Sequence, residues 1–364
     1  MVQQVHVDKS DLSQAQVVDV DPGPLADGAL RLGIDKFSVT ANNVTYAIAG
    51  DAVGYWNFFP PQGDSTDGKG IVPMWGTATV IQSNHPDFVA GERLTGFLPM
   101  ATQLDVLPGK IKPSHFVDMA EHRQPMSVFY NQYQRLANDP EHDPAREDER
   151  MLFNRLFKTG FLIESFMRRA EWYGATQAVL TSASSKTALS LASVAKRQSP
   201  GIKLVGVTSA SNVAFVEKIG LYDRVVSYDE VASIGMAPSV SVDFAGNPDV
   251  LRAVHERLGE QLKFSSLVGI THSEIGGMSQ GLPADFPGPK PVFFFAPDEM
   301  MTLFKTVGPE EAGRQMVASW QDYLKLIDGT VEIKHYKGIA AGMEAFVAMA
   351  AGSVDPSRGI IIDI

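Results

Sequence analysis

The feature that most restricts the fold lies between residues 177 and 228, where short apolar runs alternate with helical periodicity. Residues 177–181 (QAVLT) and 203–208 (KLVGVT) read as buried strands, and helix patterns cover 184–197 and 211–219. Residues 224–228 (RVVSY), 241–244 (SVDF), 264–270 (FSSLVGI) and 291–295 (PVFFF) read as further strands. Strands alternating with helices require a parallel sheet covered on both faces. The predicted fold class is therefore α/β, with a doubly wound parallel sheet in the middle of the chain.

The flanks have another texture. Runs at 29–34, 36–40, 76–81 and 93–98 are separated by Gly, Pro, Asp and Asn, which predicts a small β-rich sheet or barrel. Residues 138–150 (NDPEHDPAREDER) are almost wholly polar and are expected as an exposed loop or helix start. From 151 to 173, Phe153, Leu156, Phe157, Phe161, Ile163 and Phe166 recur at mostly three- and four-residue steps, predicting a helix. Two helices, 309–327 and 339–351, precede a terminal strand at 359–364 (GIIIDI). This divides the chain into a β-rich domain with a helical extension (1–150), a sheet domain (151–305) and a C-terminal return (306–364) that rejoins the first.

The turn between the first strand and helix of the sheet domain reads Thr181-Ser182-Ala183-Ser184-Ser185-Lys186-Thr187-Ala188. Such a turn faces the ligand crevice of an open α/β sheet, and the N–H groups and dipole of the following helix favour an anion there. The dinucleotide fingerprint G-x-G-x-x-G/A appears as Ala183-x-Ser185-x-x-Ala188, so only its last position holds a permitted residue. The surrounding strand, helix and second strand keep the required spacing. Ser184, Ser185 and Thr187 offer hydroxyl donors, and Lys186 puts a positive charge where phosphates would lie. A hydroxyl-rich cap of a structural helix is the competing reading. A P-loop is not: it needs glycine where Leu180 and Ser185 stand.

The second strand ends in Thr208-Ser209-Ala210-Ser211-Asn212, with no carboxylate before Glu217. An acidic residue there would bind the ribose of NAD and repel a 2′-phosphate. Ser209 and Asn212 instead favour NADPH, although no Arg or Lys stands beside them. A plain serine-rich turn capping the next helix is the alternative.

Composition narrows the partners. The 364 residues carry 31 Lys and Arg against 42 Asp and Glu, a net charge of -11. Such a surface repels nucleic-acid and anionic lipid phosphates, so a small-molecule substrate is expected, with no nucleic acid and no membrane. Cysteine is absent, which excludes disulfides, thiolate nucleophiles, Cys-ligated zinc and iron–sulfur clusters. The start MVQQVHVDKSDL carries early charges and no apolar core, unlike a signal peptide, so a cytoplasmic protein is expected.

With these features in hand, the chain resembles the medium-chain dehydrogenase/reductase superfamily, in its zinc-free quinone-oxidoreductase-like branch. The Ser-Ala-Ser-Ser-Lys-Thr-Ala turn is also similar to the bacterial domain of unknown function 2855 family, near that branch. Residues 41–50 (ANNVTYAIAG) resemble the segment bearing the family's Asn and following aromatic residue. Residues 75–80 (WGTATV) resemble its G-x-x-x-V strand, and 88–97 (FVAGERLTGF) are similar to its vGDRVaGf stretch. The resemblance implies a Rossmann cofactor domain, a GroES-like catalytic domain, NADPH as cofactor, and often a homodimer through the edge of the cofactor sheet. It further implies that Tyr228 reaches the 2′-phosphate of NADPH. Segments 242–247 and 267–270, with Gly246 and Gly269, would flank the nicotinamide. Thr271 and Phe294 are placed in the same crevice by position alone. The rewritten glycine motif and a long 115–173 linker depart from the family pattern.

The superfamily's alcohol dehydrogenases polarise a carbonyl with zinc held by Cys and His, which this chain cannot reproduce. Its one metal-like spacing, His115-x-x-Asp118-x-x-Glu121-His122, also reads as an acidic solvated helix face. The hydrolase elbow G-x-S-x-G is missing. What remains is hydride transfer to a small or medium apolar carbonyl, conjugated alkene or quinone, in a cleft between domains, with an oxygen or nitrogen donor aimed at the developing charge. Tyr55 is the first candidate donor, by likeness to enoyl reductases, and Tyr46 and Asn43 compete with it. The aromatic run 55–59, with Phe129, Tyr130 and Tyr133, serves either as a substrate wall or as packing. The alternative to a zinc-independent NADPH-dependent reductase is a non-catalytic NADPH-binding sensor or interaction protein on the same fold.

Overall fold

The computed structural model describes residues 1–244, 246–268 and 287–364. Two compact units emerge, residues 1–152 with 332–364 and residues 153–331.

The second unit is built on a six-stranded sheet among the described residues. Its order is Arg224–Ser227, Lys203–Thr208, Gln177–Thr181, Ser239–Asp243, Leu262–Leu267 and Val292–Phe293, with every neighbouring pair parallel. This is the doubly wound 3-2-1-4-5-6 arrangement, whose strand order reverses beside Gln177–Thr181. The central strands are buried on both faces, as their continuous apolar texture requires: Val179, Val205, Val207 and Val226 share one core with Val254 and Leu258. The helix Lys186–Gln198 lies close against the helix Arg155–Arg169. At Gly160 an added Cβ would stand 2.0 Å from the Ser190 hydroxyl, so only glycine permits this approach.

The expected boundary at 305/306 moves to 331/332. The helices Ala296–Val307 and Pro309–Ile327 stay with the second unit because Phe157 needs cover: its ring meets Trp320 at 5.3 Å and Tyr323 at 5.4 Å. Only from Glu332 does the chain rejoin the first unit.

In the first unit the runs 29–34 and 36–40 merge into one strand, Leu30–Val39, paired with Pro73–Ser83. Gly76 faces Phe37 in this pairing, and a Cβ there would come within 2.3 Å of the Lys36 carbonyl oxygen. The terminal strand Arg358–Asp363 runs antiparallel to Leu30–Val39 and parallel to Glu332–Lys337, closing the return. With Arg93–Pro99, Gln132–Arg135 and three further short strands these form a nine-stranded sheet among the described residues, beside a three-stranded one led by Val2–Asp8.

Two expectations are corrected here. The polar stretch 138–150 is not a solvated loop throughout, because Glu147 is buried and receives Arg93 in a fork at 2.8 and 2.9 Å and His142 at 2.8 Å. Nor do His115, Asp118 and His122 share a helix face. His115–Asp118 is a strand, Asp118 is buried against Arg123, and the His122 ring is bonded to the Phe58 carbonyl at 3.2 Å. Among the described residues no group of three His, Asp or Glu is arranged to hold a metal ion, and no helix is long and apolar enough to cross a membrane.

Candidate functional site

The turn after Gln177–Thr181 is tight although the fingerprint glycines are gone. Ser182 takes the left-handed backbone (φ 47°), the conformation for which glycine is the usual residue. Ser185 caps the helix: its backbone is extended (φ -69°, ψ 145°) and its hydroxyl accepts the Ala188 N–H at 3.2 Å. Lys186 and Thr187 are the first two helical residues, so their N–H groups belong to the open end of a 13-residue helix. Small residues keep the turn against the sheet. The Ala183 N–H donates to the Val207 carbonyl at 3.0 Å, and a Cβ on Gly206 would come within 2.9 Å of the Ala183 Cβ.

Ser184 joins this turn to the second strand. Its buried hydroxyl oxygen accepts from Thr208 Oγ1 at 3.3 Å and from Asn212 Nδ2 at 3.1 Å. A hydroxyl that accepts two bonds directs its own hydrogen toward a third partner. The donor set of helix N–H groups, an oriented hydroxyl and a lysine therefore fits the diphosphate of a dinucleotide.

Other predicted residues fall into place with altered roles. The Asn212 amide is committed to Ser184, and the hydroxyls of Ser209 and Ser211 pair with each other at 3.1 Å. Tyr228 follows the strand Arg224–Ser227 and packs against the core that Val205, Val207 and Val226 share, and burial pushes its pKa up. Gly246 has a positive φ (58°) and donates its N–H to Asp243 Oδ2 at 3.0 Å. Phe294 is buried, and its ring packs on Phe166 with centroids 6.2 Å apart. Gly269 and Thr271 lie outside the described residues.

Sequence reasoning missed the pair behind this turn. Thr181 and Asp243 are the last residues of adjacent parallel strands, both fully buried, and the Thr181 hydroxyl donates to the Asp243 carboxylate. The same hydroxyl accepts the Phe244 N–H at 3.0 Å. Only the strand order brings them together.

In the first unit the candidate donors separate. Residues 41–48 form a helix, and Asn43 is consumed in starting it. Its Oδ1 accepts the Thr40 N–H at 2.7 Å and its Nδ2 donates to the Pro73 carbonyl at 2.8 Å, so the buried amide ties the helix start to the strand Pro73–Ser83. The Tyr46 hydroxyl accepts from Trp75 Nε1 at 3.0 Å and from Asn42 Nδ2 at 2.6 Å. The Tyr55 hydroxyl lies 3.1 Å from that of Tyr130, and burial pushes the Tyr55 pKa up, keeping the phenol protonated. Rings enclose the pair: Tyr46 and Tyr55 are 4.6 Å apart between centroids, Tyr55 and Tyr130 5.6 Å, and Phe97 and Tyr130 4.9 Å. The sequence marks Tyr130 only as part of a second aromatic cluster. This patch offers neutral phenol donors in apolar surroundings, suited to an uncharged oxygen on which negative charge develops.

Among curated proteins none matches. Several solved structures share the fold along the whole chain. CurA from Vibrio vulnificus, in complex with NADPH, superposes with a TM-score of 0.61 at 12% identity, covering 99% of this chain and 98% of that one. A mutant form of enoyl thioester reductase from Candida tropicalis gives 0.54 at 11% identity, over 100% and 99%. The quinone oxidoreductase from Coxiella burnetii gives 0.53 at 12% identity, over 100% and 99%. The two-domain medium-chain reductase fold is thus the fold of this chain. The family described as protein of unknown function (DUF2855) matches residues 37–355, and the chain belongs to it.

Proposed function

We propose that this protein is a zinc-independent, NADPH-dependent reductase acting on a small or medium apolar carbonyl, conjugated alkene or quinone. The observation that carries the reading is the serine-lysine turn: a left-handed Ser182, a capping Ser185 and Lys186 open a helix at the strand beside which the strand order reverses. The fold is shared with a protein described as bound to NADPH, and with others described as an enoyl thioester reductase and a quinone oxidoreductase. The lack of any carboxylate from Thr208 to Asn212 favours NADPH over NADH.

The bound nucleotide supplies the hydride. The helix start, Ser184 and Lys186 hold its diphosphate by N–H, hydroxyl and ammonium donors. In the first unit the aromatic patch excludes water from an apolar acceptor, and the Tyr55 and Tyr130 hydroxyls donate toward its oxygen. One hydride and one proton convert a ketone to an alcohol or an enone to its saturated ketone.

Calorimetry with NADPH and NADH, followed by steady-state NADPH oxidation with a panel of enones, quinones and aldehydes, tests this. Absence of binding to either nucleotide overturns it. Tight NADPH binding without turnover on any acceptor identifies a nucleotide-binding sensor instead.

A further inference from the structure

Arg123 is 1% exposed, as is the Asp118 that pairs with it at 2.9 Å. A buried guanidinium is costly unless its donors are met, and a single carboxylate would neutralise it without meeting them. The remaining donors go to one short segment. Nε donates to Asn131 Oδ1 at 3.0 Å, Nη1 to the Tyr133 hydroxyl at 2.9 Å, and Nη2 to the Tyr130 carbonyl at 2.9 Å. The guanidinium also lies over the Phe58 ring, 5.4 Å from its centroid. Phe58 stacks on Tyr55 and meets Tyr130 edge-on, with centroids 6.2 and 5.6 Å apart. One cation therefore holds the backbone of Tyr130 and backs the ring beside Tyr55.

We propose that Arg123 is a positioning residue for the Tyr55–Tyr130 hydroxyl pair. Its planar fork fixes where Tyr130 stands while its face supports Phe58, so the two phenols meet. A lysine keeps the charge but cannot satisfy Asp118, Asn131 and the Tyr130 carbonyl in one plane. The consequence for turnover rests on the reading of this patch as the proton-donating site.

The test uses the full chain labelled with 13Cζ-tyrosine, with resonances assigned by single Tyr→Phe variants. In Arg123→Lys the Tyr55 and Tyr130 resonances move, while that of Tyr323, buried in the other unit, stays in place. With the best acceptor, kcat falls about tenfold and KM for NADPH is unchanged. Arg123→Lys combined with Tyr130→Phe is no slower than Tyr130→Phe alone, because both changes act through one hydroxyl. Unmoved Tyr55 and Tyr130 resonances, equal movement of Tyr323, or additive losses overturn the inference. Should Arg123→Lys not fold, Tyr133→Phe removes one acceptor from the guanidinium and is expected to give the same pattern at smaller amplitude. Full turnover in both Tyr55→Phe and Tyr130→Phe overturns the donor reading, whereas the resonances still decide whether Arg123 holds the pair.

Discussion

The hydroxyls of Tyr55 and Tyr130, 75 positions apart in the chain, meet at 3.1 Å inside a wall of aromatic rings. Each phenol can donate to the other or to a substrate oxygen, so the two act as one proton-donating unit. Replacing either by Phe is expected to lower kcat by about 100-fold, the lower end of general-acid contributions, with NADPH affinity unchanged. The double variant is expected to be no slower than the singles, as single-turnover kinetics of all three would show.

Lys186 brings a cation to the helix start without being needed for the turn, which Ser182 and Ser185 shape. Lys186→Ala is expected to weaken NADPH binding about tenfold, equivalent to about 1.4 kcal/mol, measured by calorimetry. Ser209→Asp places a carboxylate at the end of the second strand and is expected to shift the NADPH/NADH affinity ratio toward NADH. An unchanged ratio would show that this strand end does not read the 2′-phosphate.

Thr181 and Asp243 form a buried contact that ties two strand ends behind the serine-lysine turn. Thr181→Val removes a donor from the carboxylate and an acceptor from the Phe244 N–H. The expected cost is about 1–3 kcal/mol, seen as a lower urea midpoint with unchanged slope, and Thr181→Ser is expected to recover most of it.

His335 in the returning strand is bonded to Asp363 at 2.9 Å and to Asp148 at 3.0 Å. Asp363 and then Asp148 hold its pKa above the ordinary 6.5, against the opposing effect of burial. Because the folded value is the higher one, the stabilisation is fully present below pH 6.5 and is lost as pH rises through the folded value. Glu147 has the opposite sense. Burial raises its pKa, but the Arg93 and His142 bonds overcome this and hold it at about 2, against 4.5 ordinarily, so its stabilisation is present above 4.5 and fades as pH falls toward 2. Urea midpoints between pH 5 and 9 are expected to fall on the alkaline side, and His335→Gln to flatten that side only.

The order of strands and helices from 177 to 228 was legible because buried parallel strands and their covering helices carry different periodicities, and both are local. The serine-lysine turn was legible for the same reason: strand, turn and helix are contiguous, and the cap at Ser185 involves residues three apart. The fate of Asn43 was not, since its likeness to a site residue says nothing of the Pro73 carbonyl that its amide meets. Nor was the place of Phe294, which packs on a helix more than a hundred residues earlier.

Sequence alone determined the fold class, the capped serine-lysine turn and the absence of cysteine chemistry, because periodicity, capping and composition do not depend on distant partners. Tertiary structure alone decided which hydroxyls stand together. Tyr55 with Tyr130, Thr181 with Asp243 and Ser184 with Thr208 and Asn212 are joined by strand order and burial. Those contacts form only when separate segments leave water together and each polar group must find a partner in the same space.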